Sequence, residues 1–158
     1  MNTERHCFDA DSESAQVEFG RRLVGACGKQ VLIFMRGDLG AGKTTLTRGL
    51  LRGLGYTGAV KSPTYTLIEP YDLTTGRVNH LDLYRVGDPG ELEYLGLREL
   101  LEEPAITVIE WPERGDGWLP EADLDIEISH AGDGRRLCIA AQTVRGRQIL
   151  RAFKADLQ

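Results

Sequence analysis

Eight consecutive residues, Gly37-Asp38-Leu39-Gly40-Ala41-Gly42-Lys43-Thr44, fit the pattern GxxxxGK[ST], and Thr45 adds a second hydroxyl at its end. The chemistry such a stretch can do is phosphate binding. Glycines let successive backbone N–H groups curl round phosphate oxygens, a lysine placed as Lys43 is reaches the β- and γ-phosphates, and a hydroxyl placed as Thr44 is a magnesium ligand. A helix opening behind the loop aims the positive end of its dipole at the same anion. The plainer reading is a glycine-rich turn that happens to hold Lys-Thr. That reading requires neither a strand before the loop nor a helix after it, and both are expected here. Neither Asn-Lys-x-Asp nor Asp-x-x-Gly occurs, so the marks of a small GTPase are missing and ATP is the expected nucleotide.

A phosphate loop with magnesium needs an acid at the tip of a nearby strand. Two positions qualify: Glu110 closes the apolar run 106–109, and Asp82 ends the strand-like stretch that begins at Asn79. On residue chemistry alone, one of them holds Mg2+ and the other orients the attacking water; a solvated strand end is the ordinary alternative for each. His80 falls on the same strand face as Asp82, where a packed, hydrogen-bonded histidine is the simpler reading. Ser62 and Thr64 carry hydroxyls on the polar stretch 61–67, where they could meet a γ-phosphate as switch segments do. Arg135, just after Gly134 in a turn, could reach the nucleotide.

These groups need elements to hold them. Residues 31–35 form an unbroken apolar run with β-branched members, which predicts a strand covered on both faces and leading into the loop. Behind the loop, Leu46, Leu50 and Leu54 lie on one stripe of a helix that stops at Gly55. An earlier helix is expected from a cap at Asp11 or Ser12 to Gly28, with Ala15, Phe19, Leu23, Ala26 and Cys27 on its inner face. Strands follow at about 64–71 and 77–84, joined by a turn over 72–76. Asp88-Pro89-Gly90-Glu91 has the spacing of a capped helix start, with a break near Gly96. Residues 105–110 read as another buried strand, ended by Trp111-Pro112. Alternation at 124–128 and 137–141 round Gly132-Asp133-Gly134 predicts an antiparallel hairpin with one wet face, and a short helix follows Thr143. Residues 1–10 show no pattern and are expected to be a loose lead-in. The sum is one α/β domain over 1–158, a P-loop NTPase fold whose mixed sheet has a parallel centre and antiparallel edge strands, flanked by helices.

Length and composition agree. The chain has 158 residues, 41% hydrophobic and 27% charged, which suits one soluble domain and excludes disordered and fibrous classes. The longest apolar runs are too short to span a bilayer, and the first residues lack a signal-peptide pattern, so a cytoplasmic setting without membrane is expected. Cys7, Cys27 and Cys138 are odd in number and form no CxxC pair, which argues for a reducing compartment and against a disulfide frame or zinc site. With 19 basic and 24 acidic residues the net charge is −5, so nucleic acid is not coated by the whole surface. The charge is nonetheless divided. Residues 88–103 hold six acids against Arg98, whereas residues 135–158 hold six bases against Asp156. Each is either a solvated face or a surface for a partner of opposite sign.

Four stretches in this order, Gly37 to Thr45, Lys61 to Leu67, His80 to Arg85 and Glu110-Trp111-Pro112, closely resemble the TsaE (YjeE) family, small bacterial ATPases of tRNA threonylcarbamoyladenosine biosynthesis. The likeness runs from about Asp11 to the C-terminal tail. It implies a Mg2+-dependent ATPase, weak alone and stimulated by the partner proteins TsaB and TsaD. The modification concerned is threonylcarbamoylation of adenosine 37 in tRNAs reading ANN codons, and the role on tRNA is indirect. Carried over by position, the resemblance places the magnesium ligands on Thr44 and Glu110 and the phosphate loop on Asp38, Leu39, Gly40, Ala41, Gly42, Lys43, Thr44 and Thr45. It places the acid needed for hydrolysis on Asp82, switch-like hydroxyls on Ser62 and Thr64, a tryptophan beside the nucleotide on Trp111, and the adenine near Glu13. A small-molecule kinase of the P-loop class is the alternative activity; it would need an arginine-bearing lid, and the insert after the second helix reads as a hairpin instead. A nucleotide-dependent binding module without hydrolysis is a third.

Overall fold

The computed structural model describes residues 3–158. In chain order its elements are β1 (Glu4–Ala10), α1 (Glu13–Val24), β2 (Val31–Arg36), α2 (Lys43–Gly53), β3 (Ile68–Leu73), β4 (Gly76–Asp82), α3 (Glu91–Tyr94), α4 (Leu97–Glu102), β5 (Ala105–Glu110), a 3-10 turn (Pro112–Gly115), β6 (Leu124–Ala131), β7 (Gly134–Ala141) and α5 (Val144–Asp156). The strands make one sheet in the order β1-β7-β6-β2-β5-β4-β3. Pairing of β6, β2, β5 and β4 is parallel, while β7, β1 and β3 are antiparallel to their neighbours. The mixed α/β sheet with a parallel centre is thus the one the sequence predicts.

Side chains alternate across β2, and this splits the core in two. Ile33 and Met35 face α1, α2 and α5 and join Phe19, Leu23, Leu46, Leu50, Ile149 and Phe153. Phe34 faces the other way, with Leu81, Leu83, Leu92, Leu97 and Ile109 under the short helices α3 and α4. Ser12 caps α1 by accepting the Ala15 N–H, and Thr143 caps α5 by accepting that of Gly146. Helices α1 and α2 touch backbone to backbone. A Cβ on Gly20 would stand 2.6 Å from the Leu46 carbonyl oxygen, and one on Gly49 would stand 2.4 Å from that of Val17.

Three expectations are corrected. Residues 4–10 are not a loose lead-in: they form edge strand β1, paired along its whole length with β7. Of that lead-in, Met1 and Asn2 lie outside the described residues. Cys7 and Cys138 stand directly opposite in the β1–β7 register and are joined by a disulfide, their Cα atoms 4.0 Å apart, which leaves Cys27 as the free cysteine. The absence of CxxC spacing carried no information about partners 131 residues apart. Finally, the strand expected from 64 starts only at Ile68. The Leu67 N–H closes a turn onto the Pro63 carbonyl (2.8 Å), and Leu67 has φ +73°, which no strand accommodates.

Candidate functional site

The glycine-rich loop leaves the C-terminal tip of β2 and ends where α2 begins at Lys43. Gly42, the residue before the helix, has φ +110°, and a Cβ there would meet the Gln16 side chain at 2.5 Å. Only glycine fits this position. Gln16, buried on α1, donates its Nε2–H to the Gly42 carbonyl at 2.7 Å and so ties the loop to a neighbouring helix. Lys43 is buried. Its ammonium donates to the Gly37 carbonyl (2.7 Å) and lies over the Trp111 ring, 4.1 Å from the centroid. Burial holds the ammonium below its ordinary pKa, while the Glu110 and Asp82 carboxylates pull the other way. A poorly solvated cation of this kind gains strongly from an anionic ligand.

Two carboxylates face that cation from neighbouring strand ends. Parallel pairing of β4 with β5 sets Asp82 opposite Glu110, and both are buried. Asp82 accepts from the Thr64 hydroxyl through Oδ2 (3.1 Å) and from the Tyr84 N–H through Oδ1 (2.9 Å). Thr64 is in turn 2.8 Å from the Ser62 hydroxyl. The Glu110 Oε2 lies 2.5 Å from the Nε2 of fully buried His80. The other ring nitrogen, Nδ1, is buried and has no partner among the described residues. A proton there would be buried without an acceptor, so the ring proton sits on Nε2 and is donated to Glu110. Trp111, which carries one wall, has φ +55° and packs against Tyr84 at 4.9 Å between centroids.

Leu39, Gly40, Gly42, Lys43, Thr44, Thr45, Ser62, Thr64, Asp82, Glu110 and Trp111 surround a single cavity of about 250 Å³. These are most of the residues singled out from the sequence. Asp38 and Ala41 instead line a second cavity of about 340 Å³ on the far side of the loop, which Trp111 also borders. Arg135 reaches the loop from behind: its guanidinium donates to the Ala41 carbonyl (2.8 Å) and bridges towards that of Gly40 (3.5 Å). It braces the loop and is not part of the first cavity's lining. Glu13 is exposed at the start of α1 and pairs with Arg48 of α2 at 2.5 Å, also away from that cavity. Arg85 lies over the Tyr65 ring at 4.2 Å.

Two contributions were not read from the sequence as parts of the site. Gln16 belongs to no local motif, and its role depends on how closely α1 approaches α2. The His80–Glu110 bond joins residues 30 apart and needs the β4–β5 register; the alternation of His80 with Asp82 was its only trace.

The oxygen donors Thr44, Asp82 and Glu110 in one cavity are the hard, anionic set that suits magnesium. The loop's conformation, the lysine at its end and the helix behind it suit phosphates. The chain is therefore an α/β domain built round a glycine-rich strand–loop–helix unit, with acids at the tips of adjacent parallel strands. It belongs to the TsaE family: the family model described as "Threonylcarbamoyl adenosine biosynthesis protein TsaE" matches residues 10–138. A tRNA threonylcarbamoyladenosine biosynthesis protein TsaE from Haemophilus influenzae is 50% identical over 125 residues, 79% of each chain. One from Bacillus subtilis is 42% identical over 105 residues, 66% of this chain and 65% of that one. The crystal structure of Bacillus subtilis YdiB superposes with a TM-score of 0.86 at 26% identity, covering 100% of this chain and 99% of the other.

Proposed function

We propose that this chain binds ATP with Mg2+ in the cavity between the glycine-rich loop and the two strand-end acids. It hydrolyses ATP slowly alone, and with TsaB and TsaD it sustains threonylcarbamoylation of adenosine 37 in tRNAs reading ANN codons. Family membership supports the pathway. The observation that carries the nucleotide chemistry is the convergence of Lys43, Asp82 and Glu110 on one cavity from three separate elements.

In this reading the loop N–H groups and Lys43 hold the phosphates, and Lys43 exchanges the Gly37 carbonyl for a phosphate oxygen. Thr44 and Glu110 hold the magnesium, with His80 fixing the Glu110 carboxylate. Magnesium, when bound, would offset negative charge on the phosphate oxygens. Asp82, oriented by Thr64 and the Tyr84 N–H, accepts a hydrogen bond from the attacking water. No arginine is among the described residues lining the cavity. This favours a slow enzyme whose transition-state charge is completed by a partner, a remedy worth about 10³–10⁵ in rate where an arginine supplies it. It also counts against a kinase, which needs such a lid. Among the described residues no helix is long and apolar enough to cross a membrane, and the setting we infer is cytoplasmic.

The test is multiple-turnover threonylcarbamoylation with TsaB, TsaD and a threonylcarbamoyl donor, with this chain, without it, and with Lys43→Ala. The expected result is sustained product only with the unaltered chain, together with faster ATP hydrolysis when the pair is added. Equal product in all three reactions would refute the reading.

A further inference from the structure

A cavity of about 450 Å³ lies away from the phosphate-loop site. It is a groove between α3–α4 and residues 117–120. Leu92, Leu97, Leu101 and Leu119 supply its apolar lining, and Trp118, 43% exposed, stands at its lip. Tyr94 and Leu95, beside it on the α3–α4 segment, are also exposed, so large apolar side chains cluster here in water. The polar part of the lining is acidic: Glu93, Glu99 and Glu102 against Arg98, which Glu93 already pairs at 3.6 Å. Asp88, Glu91 and Glu103 continue the negative charge along the same segment.

An apolar floor under an acidic rim selects its occupant. Phosphate, nucleic acid and anionic lipid are repelled. An occupant must bury an aliphatic or aromatic side chain on the leucines and set lysine or arginine beside the glutamates. A second copy of this chain offers basic charge on α5, at Arg151 and Lys154. The apolar side of α5, however, with Ile149, Leu150 and Phe153, is already buried against the sheet. Arg151 is already engaged by Glu4, and the apolar side chains exposed along α5 are Val144 at its first residue and Leu157 just past its last, so a second copy offers less free charge here and no aromatic anchor.

We propose that the groove docks a basic segment of a partner protein, anchored by an apolar side chain over Leu92, Leu97 and Leu119 and flanked by cations facing Glu99 and Glu102. The groove shares no lining residue with the phosphate-loop cavity.

The experiment is a titration of the whole chain, followed by backbone amide chemical shifts, with a short amphipathic Lys/Leu peptide. Its Lys/Ser and Glu/Leu counterparts serve as comparators. Saturable binding of the Lys/Leu peptide is expected, with shifts centred on Leu92, Trp118 and Leu119. Affinity should fall about tenfold or more in Glu99→Lys/Glu102→Lys and in Trp118→Ala. All three side chains are exposed, so thermal unfolding of these variants should match the unaltered chain and separates lost binding from lost fold. The proposal is overturned by absence of saturable binding or by equal affinity in the variants. It is equally overturned by equal affinity for the Lys/Ser peptide, which would mean charge alone, or by shifts at the groove that grow with protein concentration without peptide, which would make the occupant a second copy.

Discussion

Replacing Gly49 by alanine sets two physical rules against each other. Gly49 lies inside α2, and helix propensity alone says that alanine there should stabilise by about 1 kcal/mol. The contact with α1 says the opposite. The new Cβ would stand 2.4 Å from the Val17 carbonyl oxygen and 3.0 Å from the Gly20 Cα, and both of these are backbone. No side chain can swing away, so the helices must part by several tenths of an ångström along a buried seam. Overpacking of this kind costs about 1–3 kcal/mol, and helix separation also loosens the leucine layer beneath. The net expectation for Gly49→Ala, with the propensity gain set against the overpacking, is a loss of about 1 kcal/mol, or roughly 2–4 °C in Tm for a chain of this size. Differential scanning calorimetry and urea unfolding measure it directly. Because α2 opens at Lys43 and Gln16 of α1 holds the Gly42 carbonyl, affinity for a non-hydrolysable ATP analogue should fall in the same variant. A Tm equal to or above that of the unaltered chain would refute the backbone-contact reasoning and leave propensity as the governing term.

Lys43→Ala should abolish calorimetrically detectable ATP binding, since no other cation lines the cavity among the described residues. Asp82→Asn and Thr64→Val should retain nucleotide binding and lose most hydrolysis, measured as phosphate release; unchanged hydrolysis in both would make this pair structural. Thiol counting with a chromogenic disulfide reagent should find no reactive thiol in the native oxidised chain, one after denaturation and three after denaturation with reductant. Burial pushes the Cys27 thiol up to about 12 from 9.0, so it stays protonated in the fold while the unfolded chain ionises. Stability should therefore fall as pH rises above about 9, and Cys27→Ala should flatten that slope.

Much of this was legible in the residues themselves. The phosphate loop, the strand before it and the helix behind it are encoded within about twenty consecutive positions, and local patterning is what sequence reports best. The acids at 82 and 110 were found because each ends a strand-like stretch, at Glu110 after an unbroken apolar run. What escaped depends on register between distant segments. In the stretch Glu4–Ala10 the most buried residue is Ala10, at its very end, so no alternation announced an edge strand. Cys7 meets Cys138 only because β1 returns to β7. The hydroxyl-rich stretch at 64–67 has β-forming composition, and only a left-handed Leu67 reveals it as a turn. Gln16 looks like any polar helix residue until α2 comes within backbone contact.

That left-handed leucine bears on the cost of movement as well as on shape. A non-glycine residue at φ +73° holds about 1–3 kcal/mol against its environment, and here the Leu67 carbonyl is fastened to the Asp82 N–H at 3.0 Å. The energy that would be released if residues 61–67 let go is thus comparable to what a few new hydrogen bonds would supply. On the opposite wall, helices in backbone contact have no such alternative. The two walls therefore differ in what opposes their movement: one is held by direct backbone contact between helices, and the other carries a strained residue whose relaxation offsets part of the cost of letting go.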